Sequence, residues 1–248
     1  MTLISLAVPE EKTSQALSPT HPPFDSHLLI AIDQALKMAW EHMCSDEADR
    51  EIIENKGEVS ITQCLRKKLN NLRIKGSVDG YNCLAFERPY SGAEFYNYKG
   101  EKVRKPDLIF AVSGNPRPGV CDDLNDAIFV ECKLVDSNGG KNVGLYCSHG
   151  LIRFIDGSYA WRMNQGMMIA YVRTGQQLPE ALIDGLNSYG RAKTLKTDGI
   201  VQPCKLSKSR QRVYLTDHKR SWKLPEGMPP GKIQVRHLWL HVFPLPAT

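Results

Sequence analysis

Two charged residues set inside an apolar run constrain this 248-residue chain more than any other feature. The run is DAIFVECKLVD, residues 126–136, and its branched and aromatic side chains predict a β-strand. Side chains alternate along a strand, so Ile128, Val130, Cys132 and Leu134 fall on one side and Phe129, Glu131, Lys133 and Val135 on the other. A face bathed in water seldom keeps both a phenylalanine and a valine. Glu131 and Lys133 are therefore expected in a partly apolar setting, and not on an edge strand where charge serves only to discourage aggregation.

The rest of the chain supplies the elements around that strand. Residues 1–24, with Pro9, Pro19, Pro22 and Pro23, read as a flexible arm. From Asp25 or Ser26, Leu29, Ile32, Leu36, Trp40 and Met43 recur at helical spacing and predict an amphipathic helix ending near Cys44. The acidic stretch Ser45 to Lys56 adds a helical turn or two before Gly57 breaks the pattern. Ile61, Leu65, Leu69 and Leu72 then mark one buried stripe on a further helix, with Glu58 at its start. YNCLAFERPY reads as a strand, SGAEFYNYKGEK as a loop or hairpin, and KPDLIFAV as a second strand turned by GNPRPG. Beyond residue 136, SNGGKNVG is a glycine-rich loop, His149 to Met163 is partly helical, and QGMMIAYVRT is another strand. LPEALIDGLNSYG is a helix with Pro179 in its first turn, and IQVRHLWLHVF is a closing strand. Alternating helices and strands argue a mixed α/β domain with a central sheet, its core at residues 25–190. Residues 191–248, a basic segment and the closing strand, extend the same domain.

Hydrophobic residues at 42% and charged residues at 24% exclude whole-chain disorder. No stretch of about 18 uncharged apolar residues occurs and the first residues lack a signal-peptide pattern, so a cytoplasmic protein with no membrane partner is expected. Seven cysteines, an odd number with no CxxC pair, read as reduced structural thiols. His237 and His241 are the nearest zinc candidates, but they lie on an expected strand rather than a helix. Charge is concentrated: residues 191–248 hold 12 basic and 3 acidic residues, whereas residues 1–190 hold 20 and 24. Lys205, Lys208, Arg210, Arg212, Lys219 and Arg220, interleaved with Tyr214 and Trp222, suit a phosphate backbone, or equally a solvated basic loop.

Pro106 and Asp107 open one strand, and Glu131, Cys132 and Lys133 lie near the end of the next. Hydrolysing a phosphodiester calls for a cation that offsets phosphate charge and readies a water, and Mg²⁺ prefers carboxylate and carbonyl oxygens. Asp107 and Glu131 supply the carboxylates. Cys132 points its side chain away but offers its carbonyl, and Lys133 stands beside Glu131 to touch the water or the attacked phosphate.

Through KPD at 105–107 and ECK at 131–133, with their flanking elements from about residue 58 to 172, the sequence resembles the PD-(D/E)xK, or restriction-endonuclease-like, family. The resemblance implies a mixed central sheet flanked by helices, with the acid on one strand, E-x-K on the next, and a preceding helix that often contributes a glutamate. Glu58 fits that place, although an acid in a first helical turn also serves the helix dipole. It further implies a nuclease using Mg²⁺ or Mn²⁺, with Asp107, Glu131 and Lys133 catalytic and Asp107, Glu131, Cys132 and Glu58 around the metal. Lineages with a later glutamine and tyrosine point to Gln165 and Tyr159, from whose pattern the spacing here departs. Arg153 reads either as a phosphate holder or as a salt-bridge partner. DNA is the expected substrate, and a protein partner or self-association the expected source of targeting, in a prokaryotic defence or mobile-element setting. The rivals are a noncatalytic nucleic-acid-binding subunit and an enzyme of small phosphorylated substrates.

Overall fold

The computed structural model describes residues 20–85, 94–114, 116–188, 191–199, 201–207 and 212–242. The apolar stripes produce the expected first helices: α1 (Ser26–Ser45), α2 (Glu47–Asn55) and α3 (Glu58–Lys75). Leu36 and Met43 of α1 and Ile61, Leu65 and Leu69 of α3 are fully buried. Helix α3 ends at Gly76, whose φ of 61° is a left-handed conformation that glycine adopts without a Cβ penalty.

After a short 3₁₀ turn, Tyr81–Cys83, come β1 (Leu84–Ala85), the hairpin strands β2 (Phe95–Tyr96) and β3 (Lys102–Val103), β4 (Leu108–Val112) and β5 (Ile128–Val135). A continuous helical stretch follows: α4 (Val143–Leu145), π-helical turns at Tyr146–Leu151 and α5 (Ile152–Ile155). It starts inside the segment expected as a glycine-rich loop. The chain continues as β6 (Gln165–Val172), α6 (Glu180–Asn187), α7 (Arg191–Leu195), β7 (Gln202–Pro203), β8 (Val213–His218) and β9 (Ile233–His241).

Among the described residues, seven strands form one mixed sheet in the order β1-β4-β5-β6-β9-β8-β7. β5, β6 and β9 run parallel, and β4 and β8 pair antiparallel on either side. Trp40 of α1 stacks on Tyr171 of β6 at 5.6 Å, which seats α1 and α3 on one face. On the other face Phe154 of α5 lies so close to Gly166 of β6 that a Cβ there would stand 2.6 Å from its ring. The architecture is thus a mixed α/β sheet between helical layers.

The closing strand is β9, which lies between β6 and β8, and its buried Arg236 pairs with Asp33 of α1. β8 runs through the basic segment, the expected extension of the same domain. At the start, His21 and Phe24 belong to the packed body instead of an arm, and the Phe24 amide donates to Gln165 Oε1 at 2.7 Å. Residues 1–19 lie outside the described residues. No helix among the described residues is long and apolar enough to cross a membrane.

Candidate functional site

The site forms where β4 is shorter than β5. Their antiparallel register pairs Leu108 with Val130, and the Asp107 amide donates to the Val130 carbonyl at 3.0 Å. Continuing that register by one residue sets Asp107 opposite Glu131 on the same sheet face. Past this point, among the described residues, β5 has no strand beside it on the β4 side, so its backbone groups need other partners. The Cys132 amide donates to Asp107 Oδ2 at 2.7 Å, and the Leu134 amide donates to Glu58 Oε2 at 3.0 Å. Two carboxylates complete the ladder that β4 leaves unfinished, and the Cys132 carbonyl faces the same opening.

Glu131 and Lys133 lie on an interior strand, under the π-helical turns and α5. The Glu131 side chain is 2% exposed, which rules out a solvated edge face. Its Oε1 is 2.6 Å from Lys133 Nζ and 2.9 Å from Arg153 on α5. Lys133 Nζ also donates to Glu58 Oε1 at 3.0 Å and to the Cys132 carbonyl at 2.9 Å. Its stem runs beneath Gly150, where an added Cβ would sit 3.3 Å from Lys133 Cγ and 2.5 Å from the Met168 methyl. Arg153 donates in turn to the Tyr159 hydroxyl at 2.6 Å, and that hydroxyl donates to the Lys105 carbonyl at 3.3 Å. Three acids and two bases thus interlock in a half-closed space.

Burial governs the ionisation here. It pushes Glu131 up to about 7, helped by the Asp107 charge and opposed by Lys133 and Arg153. Asp107 is raised for the same first reason, while the Cys132 amide pulls it back. Burial disfavours the Lys133 ammonium, but Glu131 and then Glu58 outweigh it and raise its pKa. Lys133 is therefore a firmly protonated hydrogen-bond donor.

The expected residues meet these findings unevenly. Asp107, Glu131, Lys133, the Cys132 carbonyl and Glu58 come together, and Glu58 reaches across to β5 instead of capping its own helix through its side chain. Tyr159 joins them through Arg153, whereas Gln165 is engaged with Phe24. Arg153 proves to be a direct partner of Glu131. Its sequence signal is a lone charge within the apolar run GLIRFI, which folding obliges to find a counter-charge. His237 uses both ring nitrogens in hydrogen bonds: its Nδ1 meets the Tyr146 hydroxyl and its Nε2 the Thr216 hydroxyl, each at 2.7 Å.

The basic candidates scatter. Arg220 is corrected outright, being buried with its guanidinium donating to the carbonyls of Ala160, Met163, Pro230 and Gly231. Lys208 and Arg210 lie outside the described residues. Lys205 and Arg212 are exposed, and Lys219 is exposed with Asp198 at 3.5 Å. Arg104 and Lys105, also exposed, precede Asp107 with Pro106 between.

Among the described residues no three His, Cys, Asp or Glu side chains stand gathered as a ready metal cage. The donor set is nonetheless suited to a hard cation: carboxylate and carbonyl oxygens focused on one positive centre, here the Lys133 ammonium. Scans against models of protein families, the curated proteins and the solved structures found no match for the chain.

Proposed function

We propose that the chain is a metal-dependent nuclease of the PD-(D/E)xK kind, hydrolysing phosphodiester bonds of nucleic acid and of DNA in preference. One observation carries this: Glu58, Glu131 and the Cys132 carbonyl converge on Lys133, with Asp107 opposite Glu131 and bonded to the Cys132 amide. Supporting it, a helix with a leading glutamate precedes the acid at the mouth of β4, and E-x-K lies on the antiparallel neighbour, the order that the family resemblance implies.

Asp107, Glu131 and the Cys132 carbonyl would hold Mg²⁺ or Mn²⁺, with Glu58 beside them. A cation bound there supplies charge neutralisation at the phosphate and makes a nearby water more acidic. Lys133 presents N–H donors to that water or to a phosphate oxygen, and Arg153 fixes the direction of the Glu131 carboxylate. Water attacks in line, the 3′ oxygen leaves, and the product keeps a 5′-phosphate. Arg104 and Lys105 contact the strand beside the site, with Lys205, Arg212 and Lys219 as further phosphate contacts. Targeting comes from a protein partner or a second copy, as suits an effector of prokaryotic defence or of a mobile element.

The test is cleavage of circular single-stranded DNA, supercoiled duplex DNA and RNA in Mg²⁺, Mn²⁺ and EDTA. Cutting is expected with either metal and not with EDTA. It is expected to vanish in Asp107→Ala, Glu131→Ala and Lys133→Ala while much of the nucleic-acid affinity remains. Cutting retained by any two of these variants would sink the assignment. No cutting by the pure wild type would point to a missing partner or to the noncatalytic binding subunit. Binding that ignores salt would favour an enzyme of small phosphorylated substrates.

A further inference from the structure

An ammonium carries three N–H donors. Lys133 has three oxygens to meet them, from three different places: Glu58 Oε1 at 3.0 Å, Glu131 Oε1 at 2.6 Å and the Cys132 carbonyl at 2.9 Å. In this arrangement no donor is left for a water or a phosphate. Two of these groups, Glu131 and the Cys132 carbonyl, would also ligate a divalent cation, with Glu58 beside it, and two positive centres cannot share them at such distances.

We propose that Lys133 is the built-in occupant of the cation site, and that a divalent cation binds by displacing its ammonium. The inference rests on the nuclease reading above and deepens it. Displacement does two things at once: it opens the oxygen set, and it frees the N–H groups that the reaction needs. Metal loading and readiness of Lys133 are thus a single event, and the metal-free protein keeps its acids neutralised from within. The affinity for metal is reduced by the fraction of molecules that hold the lysine in place.

The direct measurement is calorimetric titration with Ca²⁺ or Mn²⁺, without nucleic acid, of wild type, Lys133→Met and Arg153→Met. Both variants remove one positive charge from Glu131, but only the first empties the focus of the three oxygens. Lys133→Met is expected to bind metal about tenfold tighter or better, and Arg153→Met to change by roughly threefold or less. Equal or weaker binding by Lys133→Met, or an equal gain in Arg153→Met, overturns the proposal while leaving the metal site standing. Absence of binding by all three overturns the metal-dependent reading as well.

A second measurement uses the wild type alone and so does not depend on the folding of a variant. Labelling of Lys133 by an amine-reactive reagent, read by mass spectrometry, is expected to be slow without metal and to accelerate when Ca²⁺ is bound. A rate that Ca²⁺ leaves unchanged overturns the proposal.

Discussion

Arg220 spends its guanidinium on four backbone carbonyls, drawn from the 160–163 turn and from residues 230 and 231. Burial without an opposing charge lowers its pKa to about 10. Removing the donor would leave buried carbonyls unpaired at about 1–3 kcal/mol each where water cannot reach them. Arg220→Ala is therefore expected to lose roughly 3 kcal/mol or more in urea denaturation, and Arg220→Lys, with three donors in another geometry, to recover only part. A loss below about 1 kcal/mol would return Arg220 to the surface. Glu58 offers the opposite case. Glu58→Gln keeps an acceptor for the Leu134 amide but removes the charge facing Lys133, so under the proposed nuclease function cleavage should fall about tenfold or more at nearly unchanged stability. Unchanged cleavage would make Glu58 a purely structural acceptor.

At the scale of elements, α3 joins packing to the site: it buries Leu65 in the core while aiming Glu58 at β5. Leu65→Ala is expected to cost about 2–5 kcal/mol, whereas Ile74→Ala, 70% exposed on the same helix, should stay within about 0.5 kcal/mol. Parallel urea titrations of the two decide it. That stripe was legible because apolar residues at helical spacing have few other uses, and the split faces of β5 were legible because alternation is strict in a strand. Alternation placed Glu131 and Lys133 on one face, whereas Asp107 was named through the KPD and ECK motifs that carry the family resemblance. β8 was not legible, since its inward positions Thr216 and His218 are polar and give VYLTDH no apolar alternation. Nor were the helical turns from Val143, which open among glycines, or the packing of Phe24, a lone aromatic after two prolines. The convergence of Glu58 and Arg153 on β5 is a product of tertiary packing, which spacing along the chain does not encode.

At the scale of the whole molecule, the interior holds imidazoles that folding keeps neutral. The Tyr146 hydroxyl, His237, the Thr216 hydroxyl, His218 and the Leu195 carbonyl form one buried chain of hydrogen bonds linking the π-helical turns, β9, β8 and α7. Burial lowers His218 to about 4, and burial with the neighbouring His218 charge lowers His237 to about 3, against an ordinary 6.5. His21 and His241 are lowered by burial too. A histidine depressed in the folded state binds fewer protons than in the unfolded chain. Its stabilising share is thus complete above pH 6.5 and is lost as pH falls toward the folded value, by up to about 1.4 kcal/mol per pH unit for each group. Glu131, raised by burial and by Asp107, has the opposite sign and gains stability as pH falls from about 7. The wild type should therefore lose stability between pH 8 and pH 5, and Glu131→Gln, which deletes the opposing group, should lose more over the same interval. Urea midpoints at the two pH values measure the difference, and imidazole NMR signals of His218 and His237 should stay flat between them. A midpoint near 6.5 for either signal, or equal acid losses in the two proteins, would show that the interior is open to protons and that its polar chain is not the staple holding these four elements together.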